Sequence, residues 1–328
     1  MLPPETTCWI ITDGKAGDEN QCLGVAEALG LTPDVRRINP RAPWVWLMPW
    51  GPIDPRERPG LEGGPLAGPP PDIAIASGRR AAPSLAALKR LSGGKTFTVF
   101  LKDPRTGTGA ADFIWVPEHD RLRGPNVLAT VTSPHRVSAE RIAAARAKPD
   151  QRLAGLKRPR VALLLGGDSK HHRFTGDDIV RLTAQIGSLA QSGAGLMATA
   201  SRRSPSALVE GVKAIVRGKG GFFWDGSGEN PYVAMLALAD AIVVTADSAN
   251  MVGEACATGR PVLVFEPSER KQGSPSRISG QILALKRAGA VRSFQGRLES
   301  YAYPALDSIP EIASAVAAAF ARHRSTPT

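Results

Sequence analysis

The sequence predicts an α/β protein of two Rossmann-like domains facing a cleft. Three observations carry that prediction. Apolar, β-branched runs end repeatedly in turns of glycine, aspartate and serine, and those turns lead into helix-patterned segments. The alternation of apolar strand and glycine turn restarts at Arg160, after a polar, proline-flanked connection over 149–159. The 328 residues suffice for two domains of ordinary size, bounded here as 1–150 and 151–328, with the last helix free to pack back on the first domain.

The formal net charge of +11, carried mostly by arginine, implies an anionic partner: nucleic acid, acidic lipid or a phosphorylated small molecule. Solvated arginines in a biased composition are the plain alternative. The arginines are dispersed and form no recognised nucleic-acid module, so no nucleic acid is expected. Cys8, Cys22 and Cys256 are widely spaced and make no C-x-x-C pair, which argues against a disulfide framework or a zinc site. The N-terminal residues lack a basic-then-apolar signal pattern, and no run approaches the roughly 20 apolar residues of a membrane span. A reducing cytoplasm fits, and a peripheral seat at the inner membrane is allowed.

In chain order, 8–12 reads as a buried strand and 18–30 as a helix with an acidic start and a glycine stop. Between them, Asp13-Gly14-Lys15-Ala16-Gly17 matches neither dinucleotide nor P-loop patterns, yet a glycine turn from strand to helix can approach a substrate closely. A tight turn without a ligand is the alternative. A second strand is read at 35–38. The run 43–50 holds Trp44, Trp46 and Trp50 ahead of a Pro/Gly-rich loop to 71. Burial in the core is the ordinary fate of such a cluster; exposed, it would suit a lipid interface.

A strand over 72–78 is followed by Arg79 and Arg80, placed for phosphate contact or simply solvated. Gly93-Gly94-Lys95-Thr96 only mimics a phosphate loop: position 89 is lysine, and the segment leads into a strand at 97–101 where a P-loop needs a helix. The next strand, 112–120, ends in Glu118-His119-Asp120. A neighbouring carboxylate can orient an imidazole and support its charged form, so His119 is a candidate general base. A loop histidine with no catalytic task remains the alternative. A helix at 138–148 precedes the domain connection.

In the second half, the strand from Arg160 ends in Gly166-Gly167-Asp168-Ser169-Lys170-His171-His172-Arg173. Two glycines there allow backbone N–H groups to meet a diphosphate, with Ser169, Lys170 and Arg173 near by. Asp168, His171 and His172 lack a third ligand at fixed spacing, so no metal is expected. A helix at 177–192 and a strand at 196–200 lead to Arg202 and Arg203, at a strand's carboxyl end and so well placed for phosphate. A short strand, 222–224, and a helix ending near 239 bring the chain to 242–267. That stretch is a β-α-β unit: an apolar run, the turn Thr245-Ala246-Asp247-Ser248, a helix containing Glu254, a stop at Gly259 and a second apolar run. Its helix start favours an anion, a diphosphate above all. Helices at 277–289 and 309–322 close the chain.

The motifs at 13–21, 166–174, 199–203 and 245–254 together resemble the bacterial branch of the mitochondrial fission Elm family, over nearly the whole chain. The second half is similar, more loosely, to the donor domain of GT-B glycosyltransferases, especially those that add N-acetylglucosamine to a lipid-linked peptidoglycan precursor. That resemblance implies that Gly166, Gly167 and Ser169 hold the diphosphate, with Asp168 inserted, and that Glu254 binds the ribose hydroxyls. Where those enzymes carry paired glutamines that contact the sugar, this chain has Arg277 and Ile278.

The resulting expectation is a GT-B-like glycosyltransferase moving a sugar from a nucleotide-diphosphate sugar to a lipid-linked or other acceptor. The donor would meet Gly166, Gly167, Ser169, Arg202, Arg203, Ser248, Ala249 and Glu254, and the acceptor Gly14, Lys15 and Gly17. His119 would serve as base with Asp13 in reserve. No cofactor is expected beyond the nucleotide sugar as substrate, since a base and a helix terminus suffice for metal-independent inverting transfer. The rival expectations are a nucleotide-sugar epimerase and a non-catalytic binding or scaffold protein of the fission-factor type.

Overall fold

The computed structural model describes residues 2–270 and 277–325. The chain divides into two compact units, Met1–Arg136 with Ser308–Thr328, and Val137–Asp307. The 137–147 stretch, read from sequence as the end of the first domain, lies in the second unit. The reason is packing: the helix at Ala139–Ala147 lies against the one at Tyr232–Leu238, and Arg146 Nε donates to Ala237 O at 2.9 Å.

In the first unit the elements run β1 (Cys8–Thr12), α1 (Ala16–Ala28), β2 (Asp34–Arg37), α2 (Trp44–Leu47), β3 (Ile73–Ser77), α3 (Ala82–Leu91), β4 (Phe97–Leu101), β5 (Phe113–Pro117) and β6 (Val127–Thr130). All six strands are parallel, in the order β2-β1-β3-β4-β5-β6. Period-two geometry divides each strand between two cores. Ile10, Ile75 and Val99 face α1 and the C-terminal helix, whose Ile312, Val316 and Phe320 join the same cluster. Trp9, Ile11, Ala76 and Phe100 face the other side with Leu85 and Leu88 of α3. A strand buried on both faces reads as a continuous apolar run, which is why β1, β3 and β4 are legible in the sequence.

In the second unit the order is α4 (Ala139–Ala147), α5 (Gln151–Ala154), β7 (Arg160–Leu165), α6 (Gly176–Gln191), β8 (Gly195–Ala200), α7 (Ser206–Gly218), β9 (Phe222–Trp224), α8 (Tyr232–Leu238), β10 (Ala241–Thr245), α9 (Ala249–Cys256), β11 (Val262–Phe265), α10 (Arg277–Arg287) and β12 (Val291–Ser293). The last helix, α11 (Ile309–Ser325), belongs to the first unit. The second sheet is also all parallel, ordered β12-β11-β10-β7-β8-β9. Val161, Leu163 and Leu165 of its central strand pack with Leu182 and Ile186 of α6 and Leu208 and Val212 of α7.

Three sequence expectations need correction. β6 and β12 were not anticipated: both are edge strands, short and only partly apolar, and they exist because a neighbouring strand offers a ladder. The connection at 149–159 contains the short helix α5, capped by the Asp150 side chain accepting from Arg152 N. The tryptophan cluster is not core. Trp44 is half-buried, whereas Trp46 is 75% and Trp50 69% exposed; the buried residues of that run are Met48 and Pro49.

Candidate functional site

In an open parallel sheet, ligands bind beyond the carboxyl ends of the strands where the strand order reverses. In the second unit the reversal lies between β7 and β10, since the chain runs from β7 outward to β9 and returns through β10 to β12. The turns that follow these two strands are Gly166-Gly167-Asp168-Ser169 and Ala246-Asp247-Ser248. They interlock. Gly166 N donates to Thr245 Oγ1 at 2.7 Å, Thr245 Oγ1 donates to Asp247 Oδ1 at 2.7 Å, and Gly167 N donates to Asp247 Oδ2 at 2.9 Å.

Both glycines are sterically required. A Cβ at Gly166 would sit 2.0 Å from Asp247 Oδ1, and one at Gly167 1.9 Å from Arg203 O. The Arg203 guanidinium completes the knot, 3.3 Å from Asp247 Oδ2 and donating to Asp168 O at 2.8 Å. Burial pushes the Asp247 carboxyl up in pKa, against the hydrogen bonds from Thr245 and Gly167 and the charge of Arg203. Sequence reading expected the Gly166 and Gly167 amides to face a diphosphate. Those amides are taken up by Thr245 and by a buried carboxylate within the protein.

What faces outward is the start of α9 and the arginine turn. Ser248 is the N-cap of α9, its Oγ accepting from Met251 N at 3.5 Å, and Ala249 opens the helix. Arg202 is exposed on the turn after β8 beside Arg203. Ser169 is occupied locally: its Oγ accepts from His171 N at 3.2 Å and His172 N at 3.0 Å, and its carbonyl accepts from Arg270 Nε at 2.8 Å. His172 is buried, its Nδ1 has no hydrogen-bond partner, and burial lowers its pKa. Among the described residues no three His, Cys, Asp or Glu side chains converge as metal ligands.

One turn into α9, Glu254 accepts a hydrogen bond from the Tyr232 hydroxyl of α8 at 2.5 Å. Burial raises Glu254 to about 7, moderated by that hydrogen bond, and raises the tyrosine hydroxyl as well. Sequence reading found Glu254 but missed Tyr232 as its partner, 22 positions away. Arg277 and Ile278, which stand where the resembled enzymes carry sugar-contacting glutamines, open α10; Gln281, one turn on, is buried and donates from Nε2 to Ala249 O at 3.3 Å.

In the first unit the reversal lies between β1 and β3. Asp13, next after β1, pairs through Oδ2 with Lys15 and lies 3.7 Å from Arg80, which follows β3. Its Oδ1 is buried with no hydrogen-bond partner. Asp18 in α1 pairs with Lys102 after β4, and Ser77 Oγ lies 3.4 Å from Asp18 Oδ1. Gly14 has φ +77° and an exposed position, and Gly17 lies in the first turn of α1. His119 sits after β5 with Nε2 4.0 Å from Asp120 Oδ1, so the sequence-adjacent pair is also a spatial one.

Two six-stranded parallel α/β units, each gathering charged side chains at its switch point, give a GT-B-like fold. The chain belongs to the mitochondrial fission ELM1 family, which it matches over residues 16–320. It is similar to the mitochondrial fission protein ELM1 of Arabidopsis thaliana, 25% identical over 391 aligned positions covering 94% of this chain and 89% of that protein. Among solved structures it is similar to UDP-GlcNAc 2-epimerase from Neisseria meningitidis bound to UDP-GlcNAc, with a TM-score of 0.54 at 11% identity over 96% of this chain and 91% of the other. The UDP-N-acetylglucosamine 2-epimerase of Rickettsia bellii is similar too, with a TM-score of 0.52 at 13% identity over 98% and 96%. These two likenesses establish the fold.

Proposed function

We propose that the second unit binds a nucleotide-diphosphate sugar and that the protein transfers its sugar to an acceptor held by the first unit. The observation that carries this reading is the junction of Glu254 and Tyr232 with the α9 N-terminus beside the Arg202-Arg203 turn. Glu254 takes the ribose hydroxyls. Ser248 and Ala249 at the start of α9 take the diphosphate, and Arg202 and Arg203 balance its charge. The helix terminus stabilises the leaving diphosphate, so the step needs no metal and no cofactor. The acceptor lies near Gly14, Lys15 and Gly17, with His119 as the base that takes its hydroxyl proton. Asp13 already holds Lys15 and Arg80, a positioning task that makes it the second choice. A lipid-linked acceptor and a peripheral seat at the cytoplasmic face of an anionic membrane fit the positive net charge.

A second reading rests on the buried Asp247. Its carboxylate occupies the Gly167 amide that a diphosphate would use, which favours a binding or scaffold protein that keeps the fold and part of the site. An epimerase on the same scaffold would change free UDP-sugar with no acceptor present. Thermal-shift titration with UDP- and GDP-sugars separates the readings. A nucleotide-dependent rise in Tm that Glu254→Ala abolishes supports the donor site. No shift with any nucleotide, together with unaltered stability in Glu254→Ala, overturns it.

A further inference from the structure

Five of the seven large exposed hydrophobic side chains among the described residues lie within 46–91 of the first unit: Trp46, Leu47, Trp50, Leu61 and Leu91, exposed by 75, 51, 69, 44 and 54%. The fold sets Trp50 beside α3 and the 60–61 turn beside the end of that helix. A groove runs from Trp50 and Ile53 to Ala86 and Arg90 of α3, and the would-be Cβ of Gly60 is 3.4 Å from Leu91 Cδ2, setting the 60–61 turn against the end of α3. The support beneath is firm. Met48 is fully buried, Trp50 Nε1 donates to Arg105 O at 3.2 Å, and Arg41 forks onto Asp54 at 2.7 and 2.9 Å while its guanidinium stands 5.3 Å from the Trp44 ring.

The charge around these side chains is mostly positive, although Glu62 beside Leu61 is exposed. Residues 41–111 carry ten Lys and Arg against five Asp and Glu, and two of the acids, Asp54 and Glu57, are buried. Arg56, Arg58, Arg90, Lys95 and Arg105 are exposed. Indole rings with a polar edge, fixed at a surface and ringed by cations, match the headgroup layer of an anionic bilayer: the rings enter the acyl boundary and the cations meet lipid phosphates. A globular protein partner would gain less from so lopsided a charge. We propose that this face of the first unit docks on an anionic lipid bilayer. It names the surface by which a lipid-linked acceptor would be met and rests on the reading above for that acceptor alone; bilayer binding stands separately.

The test is co-sedimentation of the full chain with vesicles of phosphatidylglycerol and phosphatidylethanolamine, compared with phosphatidylcholine alone. Binding to the anionic vesicles is expected, weakening with salt, with a blue shift of tryptophan fluorescence. Trp46→Ser/Trp50→Ser should lower the partition coefficient about tenfold or more, and Arg58→Glu/Arg90→Glu should lower it comparably and flatten the salt dependence. All four positions are exposed, so the variants should retain the wild-type Tm and circular dichroism, and a variant that does not is replaced by quenching of wild-type tryptophan with brominated lipid. No binding to anionic vesicles, equal binding to phosphatidylcholine, or undiminished binding by the tryptophan variant overturns the proposal, as does a dimer that the same variant dissolves. The Tm response to nucleotide sugars, read on the same samples, tells a failure at the bilayer from a failure of the donor site.

Discussion

The two switch points are built from similar materials and work differently. In the second unit the glycine turn is locked: Asp247 reaches across from the turn after the neighbouring strand, accepts the Gly167 N–H and fills the space where a Cβ of Gly166 would lie. In the first unit the glycine turn is open. Gly14 is there for its φ of +77°, its nearest would-be neighbour is Arg37 Cδ at 3.9 Å, and Lys15, 64% exposed, holds Asp13 from the solvent side. A turn closed by a buried carboxylate presents fixed geometry, whereas a turn closed by a lysine from solvent adapts to what arrives.

The comparison is open to direct attack. The largest effect is expected for Gly167→Ala: the clash is with backbone of the Arg203 turn, which is held by the Asp247 pair and the bonds back to β7, so the loss should exceed about 3 kcal/mol or prevent folding. Chemical denaturation of Gly14→Ala alongside it should show a loss of only about 1 kcal/mol, from the positive φ alone. Equal losses would remove the distinction between the turns. Next comes Asp247→Ala, which leaves the Gly167 amide unpaired and buried, with an expected cost of about 3 kcal/mol. Asp13→Ala should cost about 1 kcal/mol, because its partner Lys15 is mostly in solvent.

A separate effect concerns pH. Glu254 stands near 7 in the folded chain against an ordinary 4.5, so the unfolded chain releases this proton first. Stability from this group is fully present below pH 4.5, declines as pH rises to about 7, and is level above; the decline should be about 2 kcal/mol, allowing for partial exposure. Glu254→Gln should flatten the Tm profile across that window. The smallest effect belongs to Tyr232→Phe, which removes one hydrogen bond for about 1 kcal/mol and, by withdrawing the donor to the carboxylate, moves the Glu254 transition to higher pH.

The sequence by itself determined the repeating strand, turn and helix, because the strands that carry the fold are buried on both faces and read as unbroken apolar runs. It placed β1, β4 and β9 to the residue and put Glu254 on the right helix. It also located the charged turns after β1, β7, β8 and β10, since glycine, aspartate and arginine at a strand end are local signals. Only the tertiary structure decided which of those turns meet. The Asp247 grip on Gly167 spans 80 positions and the Tyr232 bond to Glu254 spans 22, and a composition signal holds no record of distance. Exposure of Trp46 and Trp50 was likewise undecided, because an apolar run is the same string whether its rings turn inward or out. Buried Met48 and the Arg41–Asp54 fork settle it by anchoring the run from beneath.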